Sequence, residues 1–179
     1  VRLTCAPALA GYLERELEQL GYTVVASSDT GVDIQASLHD AMRLNLYLRT
    51  AYHVLYLLRE FNCSTPDELY RQTSLIEWEN LLPPDEYLCV VSRVDHPSIN
   101  NWMYASQKVK DAIVDRMMER VGRRPESGPR RDHFVVSLFW RHDRAWLYLN
   151  TSGEKLSDRN YRKIPHKAPM QETLAAAVL

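Results

Sequence analysis

Glycine is scarce and badly spaced for cofactor chemistry. The chain of 179 residues has six glycines, none arranged as G-x-G, which excludes a glycine-rich loop cradling phosphate or a dinucleotide. Its six histidines (His39, His53, His96, His133, His142, His166) show neither H-x-H nor H-E-x-x-H spacing. Cysteine is limited to Cys5, Cys63 and Cys89, far apart and odd in number, which excludes a disulfide framework and a zinc quartet. Cys5 and Cys89 fall in expected strands and read as small core residues. No run approaches the roughly 18 apolar residues of a membrane span, and no signal segment opens the chain. A cytoplasmic location with no membrane and no metal partner is therefore expected. Ser152 precedes Gly153 without the G-x-S-x-G elbow of a serine nucleophile. The tripeptides Asn62-Cys63-Ser64 and Asn150-Thr151-Ser152 match a glycosylation acceptor only by chance. No residue stands out as catalytic.

What the chain does have is a charge asymmetry hidden by its net −1. Residues 1–122 carry 11 Lys+Arg against 17 Asp+Glu, residues 123–167 carry 11 against 5, and the last twelve add only Glu172. A balance of −6 is thus followed by one of +6. Such an excess of cations at one end points to a polyanion as partner, with a solvated basic loop as the competing reading.

The hydrophobic pattern divides the chain near Asn62. Residues 1–5 form a short extended run. Pro7 then opens a helical stretch with Leu9, Leu13, Leu17 and Leu20 at helical spacing and Gly21 as its stop. Residues 22–26 and 32–36 read as a hairpin across a Ser-Ser-Asp-Thr-Gly turn. A second helix from Leu38 is expected to turn Ala41, Met42, Leu44 and Leu48 inward, and residues 52–61 form a strand. The order β-α-β-β-α-β is ferredoxin-like. Next, Thr65, Pro66 and Glu68 have the spacing of a helix cap. A strand at 87–94 is followed by the strongest helix, with Trp102, Ala105, Val109, Ala112, Ile113, Met117 and Val121 on one face. Residues 123–131 read as a basic exposed loop, and 133–140 with 145–150 as a hairpin. The alanine-rich start at 171–179 stops within its apolar run and reads as a piece of a larger protein.

The stretch 152–163 follows a strand, turns at Gly153, and alternates cations with an aromatic ring. Arginine offers a planar fork to phosphate oxygens, and tyrosine can stack on an unpaired base. Lys155, Arg159, Arg162, Lys163 and Lys167 could supply up to about five phosphate contacts, with Tyr161 beside them. The competing reading is a linker whose arginines pair with Glu154 and Asp158. A second group comprises Lys108 and Lys110, expected to project from the long helix toward solvent or RNA, and Arg123, Arg124, Arg130 and Arg131 of the basic loop.

The pattern G-x-x-L-x-x-R-x-Y-R at 153–162, followed by A-P-M-Q-E-T-L-A-A-A at 168–177, resembles the THUMP-containing rRNA guanine-N2 methyltransferases. The opening LTCAPALAGYLERELEQLGY and the helix K-V-K-D-A-I-V-D at 108–115 are similar to theirs as well. Asn160 departs from the glycine usual in that pattern, although asparagine tolerates the left-handed backbone. The resemblance implies an α+β chain, with a ferredoxin-like subdomain at 1–62, an α/β THUMP RNA-binding domain at 63–167, and a lead-in to a methyltransferase domain at 168–179. It implies structured RNA as partner, large-subunit rRNA above all. The S-adenosylmethionine loop and the N-P-P-Y motif of the family lie outside this sequence. The cofactor is therefore expected only with the missing domain, and the chain alone is expected to be inactive. Two alternatives remain open: a THUMP-type module of a tRNA-modifying enzyme, and a protein-interaction domain without a nucleic-acid role.

Overall fold

The computed structural model describes residues 1–96, 99, 101–158 and 169–179. The chain is α+β and divides into two compact units, Val1–Tyr56 with Thr151–Leu179, and Leu57–Asn150.

The first unit runs β1 (Arg2–Thr4), α1 (Ala10–Gln19), β2 (Val24–Ser28), β3 (Gly31–Ile34), α2 (Leu38–Tyr47) and the start of β4 (His53–Asn62). Its strands lie in the order β2-β3-β1-β4, all neighbours antiparallel. Leu3 sits in register between Val32 and Val54. These side chains share one core with Leu9, Leu13 and Leu17 near and on α1 and with Ala41, Leu44 and Leu48 at α2. Each leucine so buried contributes about 1.5–3 kcal/mol. The expected ferredoxin-like order of elements is therefore present, with local differences. The first helix begins at Ala10 and not at Pro7, because Ala8 adopts φ 66°, outside a right-handed helix. Its N–H is donated to Asp29 Oδ1 at 3.3 Å. Met42 is exposed and not inward, since it lies one residue, or about 100° of rotation, from the buried row Ala41, Leu44 and Leu48. Ser37 and Asp40 cap α2 reciprocally, each side chain accepting the other residue's backbone N–H.

A buried carboxylate closes this unit. Glu16 of α1 is only 7% exposed. It accepts from Arg49 N–H and Nε at 3.0 and 3.1 Å, and from Thr50 N–H and Oγ1 at 3.1 and 2.7 Å. Four donors compensate the desolvated charge and hold the turn between α2 and β4.

The second unit takes β4 onward through α3 (Pro66–Ser74), a 3-10 turn at Trp78–Asn80, β5 (Leu88–Asp95), α4 (Trp102–Val121), β6 (Phe134–Arg141) and β7 (Arg144–Asn150). The strand order is β4-β7-β6-β5, with β5 parallel to β6 and β6 antiparallel to β7. Leu69 of α3 and Val109, Ile113 and Met117 of α4 pack with Leu88, Val136, Leu138 and Leu147 of the strands. Both indoles in this core are satisfied, Trp78 donating to Thr73 O and Trp140 to Cys63 O, each at 2.9 Å. Thr65 caps α3 as its spacing predicts, while the Glu68 carboxylate reaches past the cap to Ser64 N–H at 2.8 Å. Trp102 and Val121 are exposed and not on the core face of α4, because its buried row runs only from Ala105 to Met117. Arg116 of α4 grips both Glu79 oxygens at 2.7 and 2.6 Å and donates to Ser74 O at 2.8 Å. Those bonds hold the Glu79 carboxyl down at about 2, from its ordinary 4.5.

After β7 the chain returns to the first unit. Thr151 Oγ1 donates to Val54 O and accepts from Asn45 Nδ2, while Ser152 Oγ accepts from Val54 N–H and donates to Asn45 Oδ1. A 3-10 turn at Leu156–Asp158 and helix α5 (Glu172–Val178) complete the described residues.

Three outcomes are expected. Glu16→Ala should cost about 3 kcal/mol in urea unfolding, because it leaves Thr50 and Arg49 donors without their acceptor, and Glu16→Gln should cost less. Because the Glu79 carboxyl is depressed, its stabilising contribution is present above pH 4.5 and is lost as pH falls toward 2. The melting temperature of Glu79→Gln should accordingly fall less steeply than that of wild type across that window. All three cysteines are buried, and burial pushes the Cys63 thiol up to about 12. The native chain should leave Ellman's reagent unreacted at pH 8 and release three equivalents of thiol on unfolding.

Candidate nucleic-acid interface

The basic residues expected from the sequence fall into separate groups. In the first unit, Lys155 is exposed, with Nζ 4.8 Å from the centroid of the Tyr52 ring. The Tyr52 hydroxyl in turn donates to Gln171 Oε1 at 2.8 Å, and Tyr52 O accepts from Leu156 N–H. Ring and lysine are thus placed by the backbone around them. Arg159, Tyr161, Arg162, Lys163 and Lys167 lie outside the described residues.

In the second unit, residues 123–131 leave α4 after Gly122, whose φ of 72° ends the helix. Arg123, Arg124, Arg130 and Arg131 are all exposed. Arg123 pairs with Asp85, and Arg130 lies 4.2 Å over the Tyr87 ring, which orients its guanidinium without neutralising it. The loop is anchored at the sheet edge: Leu88 N–H donates to Glu126 O at 2.8 Å, and Leu88 O accepts from Gly128 N–H at 3.1 Å. A Cβ on Gly128 would run into the Tyr87 hydroxyl, so a side chain there would displace the Tyr87 ring from its place against the loop.

The two helix lysines diverge. Lys108 Nζ lies 3.2 Å from Asp67 Oδ1 of α3 and 5.8 Å from the Tyr104 centroid. The bond to Asp67 raises its pKa. This lysine is committed to a neighbouring helix and does not simply project, as the sequence suggested. Lys110, two residues on, faces another way and lines an open cleft of about 190 Å³ with Leu88, Val90, Met103, Ser106, Gln107, Ser127 and Gly128. The structure thus joins Lys110 to the arginine loop and separates Lys108 from it. Sequence reasoning missed the exposed Trp102, Met103 and Tyr104 at the start of α4. The available signal was Asn101, whose Oδ1 accepts from Met103 N–H as the helix cap and so puts Trp102 in the uncovered first turn.

No group of histidine, cysteine or acidic side chains among the described residues could hold a metal ion. The cleft is smaller than the about 300–1,000 Å³ of ordinary small-molecule pockets and has no carboxylate in its lining for a ribose. It does not fit S-adenosylmethionine.

Comparison with known proteins agrees with the two-part fold. Residues 2–55 match the family described as the RlmL ferredoxin-like domain, and residues 63–150 match the THUMP domain. The ribosomal RNA large subunit methyltransferase K/L of Syntrophotalea carbinolica is 36% identical over 93% of this chain, which spans 23% of that protein. A predicted N6-adenine-specific DNA methylase from Listeria monocytogenes superposes with a TM-score of 0.85 at 30% identity, over 99% of this chain and 46% of that one. SMU.472, solved in complex with SAH, gives 0.82 at 26% identity over 99% and 47% of the two chains. The chain spans about a quarter of the length of the curated relatives it matches. The chain is thus made of a member of the RlmL ferredoxin-like domain family at residues 2–55 followed by a member of the THUMP domain family at residues 63–150.

Proposed function

We propose that this chain holds structured large-subunit rRNA so that a linked, S-adenosylmethionine-dependent domain can methylate N2 of a guanine. The observation that carries this reading is the match of 93% of the chain to 23% of an rRNA large subunit methyltransferase, with a THUMP domain at residues 63–150. In this reading the chain does the RNA-holding share of the work and methyl transfer falls to the remainder. Residues 63–167 act as the RNA-binding domain, behind a ferredoxin-like part at 1–62, and 168–179 lead toward the catalytic part. The cytosol, where rRNA is made in bacteria, is the place of action, and no helix among the described residues is long and apolar enough to cross a membrane.

Physically, exposed cations fix position and orientation on the phosphate backbone without reading sequence. Lys155, Arg159, Arg162 and Lys163 with Tyr161 form one set of contacts. Lys110, Arg123, Arg124, Arg130 and Arg131 form the other, and Lys108 assists only where RNA competes with Asp67. Arg124, Arg130 and Arg131 are the strongest of the described candidates, since Arg123 has a carboxylate partner whereas the ring under Arg130 leaves its charge in place.

Fluorescence anisotropy with a structured rRNA fragment at two salt concentrations tests this. Each phosphate contact contributes about 0.9 to the slope of log K against log salt. Lys155→Ala, Arg159→Ala and Arg162→Ala together should remove about 2.7 from that slope. Absence of binding at low salt would sink the RNA reading and bring forward a role in protein interaction.

A further inference from the structure

The cleft beside Lys110 has features that backbone-phosphate contact does not use. β5 is the last strand of its sheet, so every second residue turns its N–H and C=O away from β6. Leu88 is such a residue, and the loop takes both its groups through Glu126 O and Gly128 N–H. Val90 is the next, and among the described residues nothing takes its outer N–H or C=O. The cover ends at Gly128, and the cleft opens there, with Val90 and Gly128 both in its lining.

A donor and an acceptor side by side on a strand edge match the acceptor–donor face of an amino-bearing base. Val90 and the exposed Met103 supply apolar surface for its ring, over the buried Leu88. Ser106 Oγ donates to Ser92 Oγ at 2.8 Å, and Gln107 Nε2 to Asp111 Oδ1 at 2.7 Å, so neither hydroxyl nor amide N–H is the main polar group of the cleft. Lys110 Nζ is only loosely held, 4.0 Å from Asp111 Oδ1, and the exposed arginines of residues 123–131 stand at the loop side. The space of about 190 Å³ admits a single base and no duplex.

We propose that this cleft is a subsite for one unpaired, amino-bearing nucleotide, with its base on the Val90 edge and its phosphate on Lys110 and the arginine loop. The proposal rests on the RNA reading above and adds a preference that phosphate contact alone cannot create.

The test is anisotropy of the 179-residue chain with two RNAs, a fully paired hairpin and the same hairpin with a bulged adenosine. The bulged RNA should bind about tenfold tighter, within the range that base docking supplies. Val90→Pro removes the outward N–H at an edge position that tolerates proline. It should erase the tenfold preference and leave affinity for the paired hairpin unchanged. Met103→Ala, at an exposed side chain, should cut the preference about threefold and decides the matter if Val90→Pro unfolds. Equal binding of both RNAs by wild type overturns the subsite but leaves the RNA reading intact. So does full preference in the variants. Binding of neither RNA overturns both. A dimer formed without RNA and abolished by Val90→Pro, read as mass by light scattering, would give the edge to a second copy and also overturn the subsite.

Discussion

The carboxylate of Glu16 is the constraint from which the first unit takes its shape. It is charged, almost wholly buried, and repaid by four donors from two successive residues, Arg49 and Thr50. Those residues lie between α2 and β4, so the bonds from α1 decide where β4 starts. The start of β4 decides its register, Leu3 opposite Val54 and Thr4 opposite His53. A slip of one residue would turn Val54 out of the core and its polar neighbours in. Every later element is reached through β4. An ion pair on the surface would hold two side chains loosely; here the acceptor is taken out of water, and the geometry of the turn follows from its need for partners.

The cations of the second unit show the opposite case, where charge is kept available. Arg116 spends its guanidinium on Glu79 and Ser74, and Lys108 spends its ammonium on Asp67. Both serve packing of α4. Arg130 rests on an aromatic ring, which fixes its direction while leaving its positive charge to act outward. Lys110 has only a distant carboxylate. Equal residue types on one helix or loop therefore divide into structural and available cations, and the division depends on what α3 and the turn after it present.

Much of the fold was legible because it rests on periodicity. The Leu9-Leu13-Leu17 row, the Thr65–Glu68 spacing and the hairpin at 133–140 with 145–150 are local signals, and each corresponds to an element observed. What failed was local detail under tertiary control. Pro7 looked like a helix start, but Ala8 bends the chain the other way to reach Asp29. Met42 and Trp102 are apolar residues that look like core and point to solvent, since hydrophobicity does not report which neighbour exists. The cleft was not legible at all. It requires a strand edge, a helix face and a loop from three stretches of sequence, and its polar part is the backbone of Val90, which any residue but proline would supply.

The return of residues 151–158 to the first unit has a consequence for how the chain is made. Thr151 and Ser152 occupy the main-chain groups of Val54 and the amide of Asn45, 97 to 107 residues upstream. During synthesis, α1, α2 and their sheet emerge early but stay unlatched, while the whole of the second unit is added and folds. Of the two units, the ferredoxin-like part is thus begun before the other and finished after it. Its final stability is contingent on correct folding of the unit inserted within it, so a damaged second unit is registered in both.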